Sequence, residues 1–234
     1  MHRQTDGLRR ATIGLLGFAT YLNVTVVDLT TDTKEHLMSL DLVRGRQPDH
    51  PVAEQFLSRW SPRSFSDRTL AEGDVLTVLE AARWAPSASN HQPARFVWAL
   101  RGDAGFQAIH DALAPFNRDW AGRAAALVVV ASKDFAMGKD GTEAANRWAT
   151  FDAGAAWMSM ALQAQSMGLV AHAMGGFDVA ATAAAVALPE GHSLHAVVAL
   201  GYQGAAEQLP EGLRAREVAS QRRSLTETAV RGRF

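Results

Sequence analysis

The run Leu127-Val128-Val129-Val130, within residues 124–131, constrains this chain more than any other stretch. Successive apolar residues, most of them β-branched, fit a strand buried on both faces rather than one with a wet side. Such a strand needs packed structure above and below it, which demands a layered fold around a central sheet. Residues 95–100, 169–174 and 195–200 read as three further strands.

Helical spacing fills the intervals. Residues 74–84 form a helix, with Asp74 as a candidate cap and Val75, Leu76, Leu79, Ala82 and Arg83 at spacings near 3.6. Residues 104–113 and 180–187 read as shorter helices. Residues 53–60 read as another, with Phe56 and Leu57 as its apolar contacts. The longest helix covers 144–167, where Phe151, Ala155, Met158, Leu162 and Gln165 recur every three or four positions. Its middle, 153–156, is made of Ala and Gly. That permits either a central core helix or a helix packed against its mate in a dimer. No strand runs directly into a GxGxxG turn and helix, so a Rossmann dinucleotide unit is disfavoured. The element order predicts an α+β or α/β layered fold.

Composition narrows the chemistry. The chain has no Cys among 234 residues, which removes disulfides, thiolate nucleophiles and cysteine zinc sites. Redox work would therefore need a bound cofactor, and the absence is compatible with a reducing cytoplasm. The 23 basic and 24 acidic residues give a net charge of -1, which argues against a nucleic-acid-binding surface. The eight His are scattered, and His192 and His195 run into a strand rather than a helical ligand pair, so no metal site is expected. Asp152 and Glu143, both placed on the long helix, read as surface or interface residues rather than an acid/base pair. Residues 1–50 carry no motif and read as an N-terminal arm preceding a domain over 51–234. The stretch 11–27 is too interrupted for a membrane span, a soluble arm fits better than a signal segment, and Met38 is a plausible alternative start.

Four polar segments are candidates for ligand binding. Arg59 and Arg63 flank Ser61 and Pro62, and two guanidinium forks with a hydroxyl can serve one phosphate, although arginines at a helix end are commonly just solvated. The segment Pro86-Ser87-Ala88-Ser89-Asn90-His91-Gln92-Pro93 joins a helix to a strand. Asn90 and Gln92 each offer a donor and an acceptor, as the edge of a heteroaromatic ring requires; an ordinary polar connection is the alternative. Gly175-Gly176 permits a tight turn and close backbone approach to a ligand. Arg222-Arg223 could return to complete a phosphate cradle, or belong to a solvated tail.

In this order, the segments resemble the nitroreductase family of flavin-dependent oxidoreductases over roughly 51–227. Arg59-Trp60-Ser61-Pro62-Arg63 looks like the family's opening arginine-serine-x-arginine. Residues 86–93 look like its proline-serine-x-x-asparagine-x-glutamine-proline hallmark. Met174-Gly175-Gly176-Phe177 is similar to its glycine turn, Leu200-Gly201-Tyr202 to its last core strand and exit, and Arg222-Arg223 to its closing arginine. The residue after Pro93 is Ala94 where the family often has Trp, and Gly175 stands where a Glu is common.

The resemblance implies an α+β fold with a central, mainly antiparallel sheet flanked by helices, and a homodimer with flavin at the interface. It implies FMN as cofactor, with NADH or NADPH as electron donor. Arg59, Ser61, Arg63 and either Arg222 or Arg223 would hold the FMN phosphate, with Trp60 contributing backbone. Asn90 would meet the pyrimidine side of the ring, Pro86, Ser87, Ala88 and Ser89 would line the flavin, these last three from the partner subunit, and Gly175 and Gly176 would lie near N5. No catalytic side chain is assigned. The expected activity is ping-pong hydride transfer to a small-molecule acceptor such as a nitroaromatic, quinone or activated alkene, in the cytoplasm, with no nucleic-acid or membrane partner. The rival readings are a non-catalytic FMN store or sensor and a reductive dehalogenase-like relative.

Overall fold

The computed structural model describes residues 45–234. The expectations for residues 1–44, including a start at Met38, lie outside the described residues.

The predicted buried strand is the second of four in the main sheet. Strands β1 (Ala94–Leu100), β2 (Ala126–Lys133), β5 (Val170–Met174) and β6 (His192–Gly201) pair in the order β1-β2-β6-β5, with every pairing antiparallel. Leu127 and Val129 enter one core with Val197, Ile109 and Trp120, while Val128 and Val130 enter the other with Val198, Val75 and Met160. This alternation follows from the two-residue repeat of a strand. It explains why β2 shows no polar face in sequence. The fold is thus α+β, with helices on both sides of an antiparallel sheet.

One face carries α1 (Glu54–Ser58) and α2 (Glu72–Arg83), with α5 (Ala149–Ser166) packed against α2. The helices α3 (Ala104–Asp111) and α4 (Pro115–Ala121) belong with the core on the opposite face. The helix α6 (Val179–Ala185) packs against α3, and the tail adds the short turns α7 (Glu211–Arg214) and α8 (Leu225–Thr228).

The structure corrects several local expectations. Asp74 lies inside α2 and its carboxylate accepts the Ala71 N–H at 3.0 Å, so it caps from the third helical position. Val75, Val78 and Ala82 are its buried residues, while Leu76 is exposed. Phe56 is exposed too, and the buried residues near α1 are Ser58 and Trp60. The long helix begins five residues later than its composition indicated. Glu143–Ala145 instead forms β4, paired with β3 (Phe135–Met137), and the Lys133–Glu143 ion pair at 2.7 Å ties this hairpin to the end of β2. Tertiary pairing here overrides the helix preference of alanine. On α5 the buried stripe is Ala149, Asp152, Ala153, Ala156, Met160, Ala161 and Ala164, whereas Phe151 is 73% exposed. Small residues bring the helix close to the sheet and α2; of its larger side chains Met160 is buried in that contact, whereas Phe151 stays outside it. Helix α4 carries no strong periodic signal; Pro115 at its first turn and buried Trp120 define it.

The exit of β6 fixes the segment that bears the paired arginines. Ser66 N donates to Tyr202 O at 2.9 Å, Gly204 N donates to Ser64 O at 2.9 Å, and the Ser64 hydroxyl donates to Ala205 O at 2.6 Å. Phe65 between them is fully buried and stacks on Trp120 at 6.2 Å. A Cβ on Gly204 would stand 2.7 Å from the Phe65 carbonyl carbon and oxygen, both backbone atoms that cannot swing away. Gly204→Ala is therefore expected to lower stability by about 1–3 kcal/mol, as overpacking does, measured by urea unfolding. An unchanged midpoint would show that this junction is looser than described.

Candidate functional site

Four separate stretches of chain converge on one cavity of about 370 Å³. Arg59, Trp60, Ser61 and Arg63 come from the turn after α1, His172 from β5, and Arg216, Val218, Ser220 and Arg222 from the tail. Arg46 enters from the segment before α1. The sequence-predicted residues Arg59, Trp60, Ser61, Arg63 and Arg222 are thus brought together. Arg223 lines a separate groove with Asp49 and His50, which Arg222 also borders, but only Arg222 reaches the arginine cavity.

Among the described residues, the cavity lining holds five guanidinium groups and no carboxylate. Glu217 is the nearest acid in sequence to this lining, but its oxygens accept backbone N–H groups: Arg63 at 2.8 and 3.0 Å and Ser64 at 2.7 Å. It therefore shapes the turn and joins it to the tail while leaving the guanidinium charges for something else. Burial, followed by the charges of Arg222 and Arg59, holds the Arg46 guanidinium below its ordinary pKa. Burial and then Arg222 do the same to Arg59. Both groups still carry charge at neutral pH, since arginine is not deprotonated in proteins. Their Nε atoms, and the Trp60 indole nitrogen, are shielded and lack hydrogen-bond partners. Shielded donors beside uncompensated cations are what an anion with several acceptor oxygens would satisfy.

His172 closes the cavity from β5. Its Nδ1 lies 3.0 Å from Pro62 O and its ring tilts against Trp120 at 4.7 Å. Burial lowers its pKa foremost; the Pro62 carbonyl opposes that and nearby Arg63 reinforces it. A neutral imidazole with a proton on Nδ1 suits both the carbonyl and the cationic surroundings.

The loop after α2 lies elsewhere in the chain. Pro86, Ser87, His91 and Gln92 line a second cavity of about 750 Å³ with residues of α2, β1 and α5. Ala88, Ser89, Asn90, Gly175 and Gly176 line neither cavity. Ser89, Asn90 and Gln92 have φ of 49°, 56° and 49°, three left-handed non-glycine residues within four positions. Each costs of order 1 kcal/mol, and such strain persists only where neighbours enforce it. Ser87 Oγ accepts Gln92 N–H at 2.9 Å, and the Asp152 carboxylate on α5 accepts Ala88 N–H at 3.1 Å. Asp152 is 4% exposed within the single chain, so it is a buried anchor for this loop and not the surface or interface residue expected. Glu143 belongs to β4 and pairs with Lys133, as described above.

Gly175 and Gly176 follow β5 directly. The Gly176 carbonyl accepts Ala114 N–H at 3.0 Å and the buried Asn117 side chain at 2.9 Å. A Cβ on Gly176 would meet Phe116 at 2.8 Å and Asn117 at 2.9 Å, while one on Gly175 would meet nothing within 4 Å. The first glycine therefore fronts open space and the second is locked by α4. Sequence reasoning missed Arg46, Arg216, Asn117, His172 and the anchoring role of Asp152. A neighbouring Phe116-Asn117 pair after Pro115 was the only local trace of the α4 contribution.

An antiparallel, helix-flanked α+β chain with an arginine-lined cavity and a strained helix-to-strand loop is the class of protein these features define. The Nitroreductase family model matches residues 57–114 and 102–202, and the chain belongs to that family. A crystal structure of an oxidoreductase containing FMN is 41% identical, with 81% of this chain and 96% of that one aligned at a TM-score of 0.78. A structure from Desulfovibrio desulfuricans, described as a nitroreductase in complex with FMN, is 25% identical over 80% of this chain and 99% of that one, at a TM-score of 0.62. An uncharacterized 15.4 kDa protein of Mycolicibacterium smegmatis is 38% identical over 119 residues, 50% of this chain and 77% of that one.

Asp152→Ala is expected to destabilise the chain by about 1–3 kcal/mol, because the Ala88 N–H loses its acceptor in a strained loop. Asp152→Asn keeps an acceptor oxygen and should cost less. Equal chemical-denaturation midpoints for both variants and the parent would remove the anchoring role.

Proposed function

We propose that this chain is an FMN-dependent oxidoreductase that takes electrons from NADH or NADPH and passes them to a small organic acceptor. The observation that carries the reading is the cavity whose described lining holds five guanidinium groups and no carboxylate, with shielded and unpartnered Nε donors on Arg46 and Arg59. The residues fit the phosphate of FMN: forked donors, an adjacent serine and uncompensated charge. The similarity to an oxidoreductase containing FMN agrees with this assignment. Bound there, FMN supplies the two-electron carrier that a cysteine-free chain lacks.

In this reading Arg59, Ser61, Arg63 and Arg222 hold the phosphate, with Trp60 completing the turn. Asn90 serves the pyrimidine side of the ring, and Gly175 and Gly176 serve the neighbourhood of N5. The locked Gly176 carbonyl keeps that turn rigid, and Gly175 leaves its front free of side chain. Donor and acceptor use the same opening in succession, giving ping-pong exchange with a nitroaromatic, quinone or activated alkene as acceptor. The chain's own contribution is binding and orientation; no side chain is assigned as a proton donor.

A homodimer is part of the proposal. The arginines line one cavity of the chain and Pro86, Ser87, His91 and Gln92 another, so two copies would be needed to bring the two sets onto one ligand, with Ser87, Ala88 and Ser89 on the partner side. Trp84 is 74% and Phe151 73% exposed, alongside exposed Leu76 and Trp148, which leaves large apolar surface on α2 and around α5 for a second copy to cover.

Anaerobic spectroscopy of the purified protein tests the function. A yellow protein is expected, bleached by NADH or NADPH and recoloured by a quinone or nitroaromatic. Arg59→Ala and Arg222→Ala should each lose FMN on gel filtration, by roughly tenfold or more in affinity. A folded protein that takes up no FMN defeats the proposal, and one that takes it up without bleaching by either donor defeats its catalytic part.

A further inference from the structure

We propose that Arg46, outside the stretch 57–202 matched by the family model and in none of the motifs read from sequence, is a further ligand of the flavin phosphate. The inference rests on the FMN reading above and extends its binding set to the segment that precedes α1.

Arg46 is placed by its own backbone contacts. Its Nη1 donates to Leu57 O at 2.7 Å and to Arg59 O at 2.8 Å. Those carbonyls belong to the last turn of α1 and the residue after it, where helix carbonyls lack internal partners. One nitrogen is thereby spent on fixing the guanidinium plane. Nε is left shielded and without a partner. The side chain lines the same cavity as Arg59, Ser61 and Arg222.

A purely structural strap is the competing explanation, since Arg46 does hold the turn that carries Arg59. Charge argues for more. The neighbouring charges of Arg222 and Arg59 both press against the charged form of Arg46. Two neutral carbonyls accept its hydrogen bonds but do not cancel that repulsion. Among the described cavity-lining residues no acid does so either. A phosphate dianion seated between these groups would offset the crowding and offer an acceptor for the unused Nε. The tail is tied to the same segment: Leu225 N donates to Asp49 Oδ2 at 2.5 Å. Residues 46–49 and 222–225 therefore meet beside the cavity, and each contributes one arginine to it.

The test compares FMN with riboflavin, which has the same ring and no phosphate. Both are titrated by fluorescence quenching into the flavin-free full-length chain, for the parent, Arg46→Met and Arg46→Lys. FMN affinity is expected to fall roughly tenfold to a hundredfold in Arg46→Met, the scale of one hydrogen bond to a charged group. Riboflavin affinity should stay unchanged. Arg46→Lys should fall between, keeping charge but losing the fork. Inorganic phosphate should raise the melting temperature of the flavin-free parent more than that of Arg46→Met, a readout independent of the ring. Equal losses for FMN and riboflavin would reduce Arg46 to a strap, and unchanged FMN affinity would remove it from the site. A parent that binds FMN no better than riboflavin would instead overturn the phosphate assignment itself.

Discussion

The site depends on the way Glu217 spends its charge. A buried carboxylate beside a cluster of arginines would be expected to form ion pairs. Here its two oxygens take the backbone N–H groups of Arg63 and Ser64 instead. This joins the tail to the turn after α1 and directs the turn without neutralising the guanidinium groups. Charge-assisted hydrogen bonds to backbone amides are strong enough to hold such a junction. Together with the contacts of Ser64 and Gly204, they make the arginine-bearing turn an extension of the sheet rather than a free loop.

The sheet was largely legible in sequence because its signals are local. The run 127–130 announces a strand with two covered faces, and the neighbouring strands carry their own β-branched residues. The helix positions followed from periodicity, yet their buried faces did not. On α5 the larger side chains drew attention to Phe151 and Met158, while the structure buries an alanine stripe with Asp152 and Met160. Side-chain size marks what can be buried, but close packing against a sheet selects small residues. Sequence could not weigh these without knowing which neighbour the helix would meet. Residues 143–145 failed for a related reason: their composition favours helix, and only the pairing with 135–137 makes them a strand.

The candidate site divides in the same manner. Arg59, Ser61 and Arg63 are contiguous and could be read as one donor set, and Arg222 joined them by resemblance. Arg46 and Arg216 had no such neighbours, so only folding brings them to the cavity. The loop 86–92 was legible as polar and proline-bounded. Its three left-handed residues were not, since Ser and Gln carry no glycine-like warning and Asn only a weaker one, and its dependence on Asp152 spans 64 positions in sequence.

The spread of the arginine cavity along the polypeptide has a consequence for biosynthesis. Its wall includes Arg46 near one end of the described chain and Arg222 near the other. During translation Arg46 and Arg59 emerge first and must remain without the contribution of Arg216 and Arg222 until that later segment has left the ribosome. The pocket's full electrostatic pull on an anion thus arises only after every strand of the main sheet, the last of which ends at Gly201, has been synthesised. Nascent chains should pass through a stage in which all the main-sheet strands are present and the attraction for an anion is only partial.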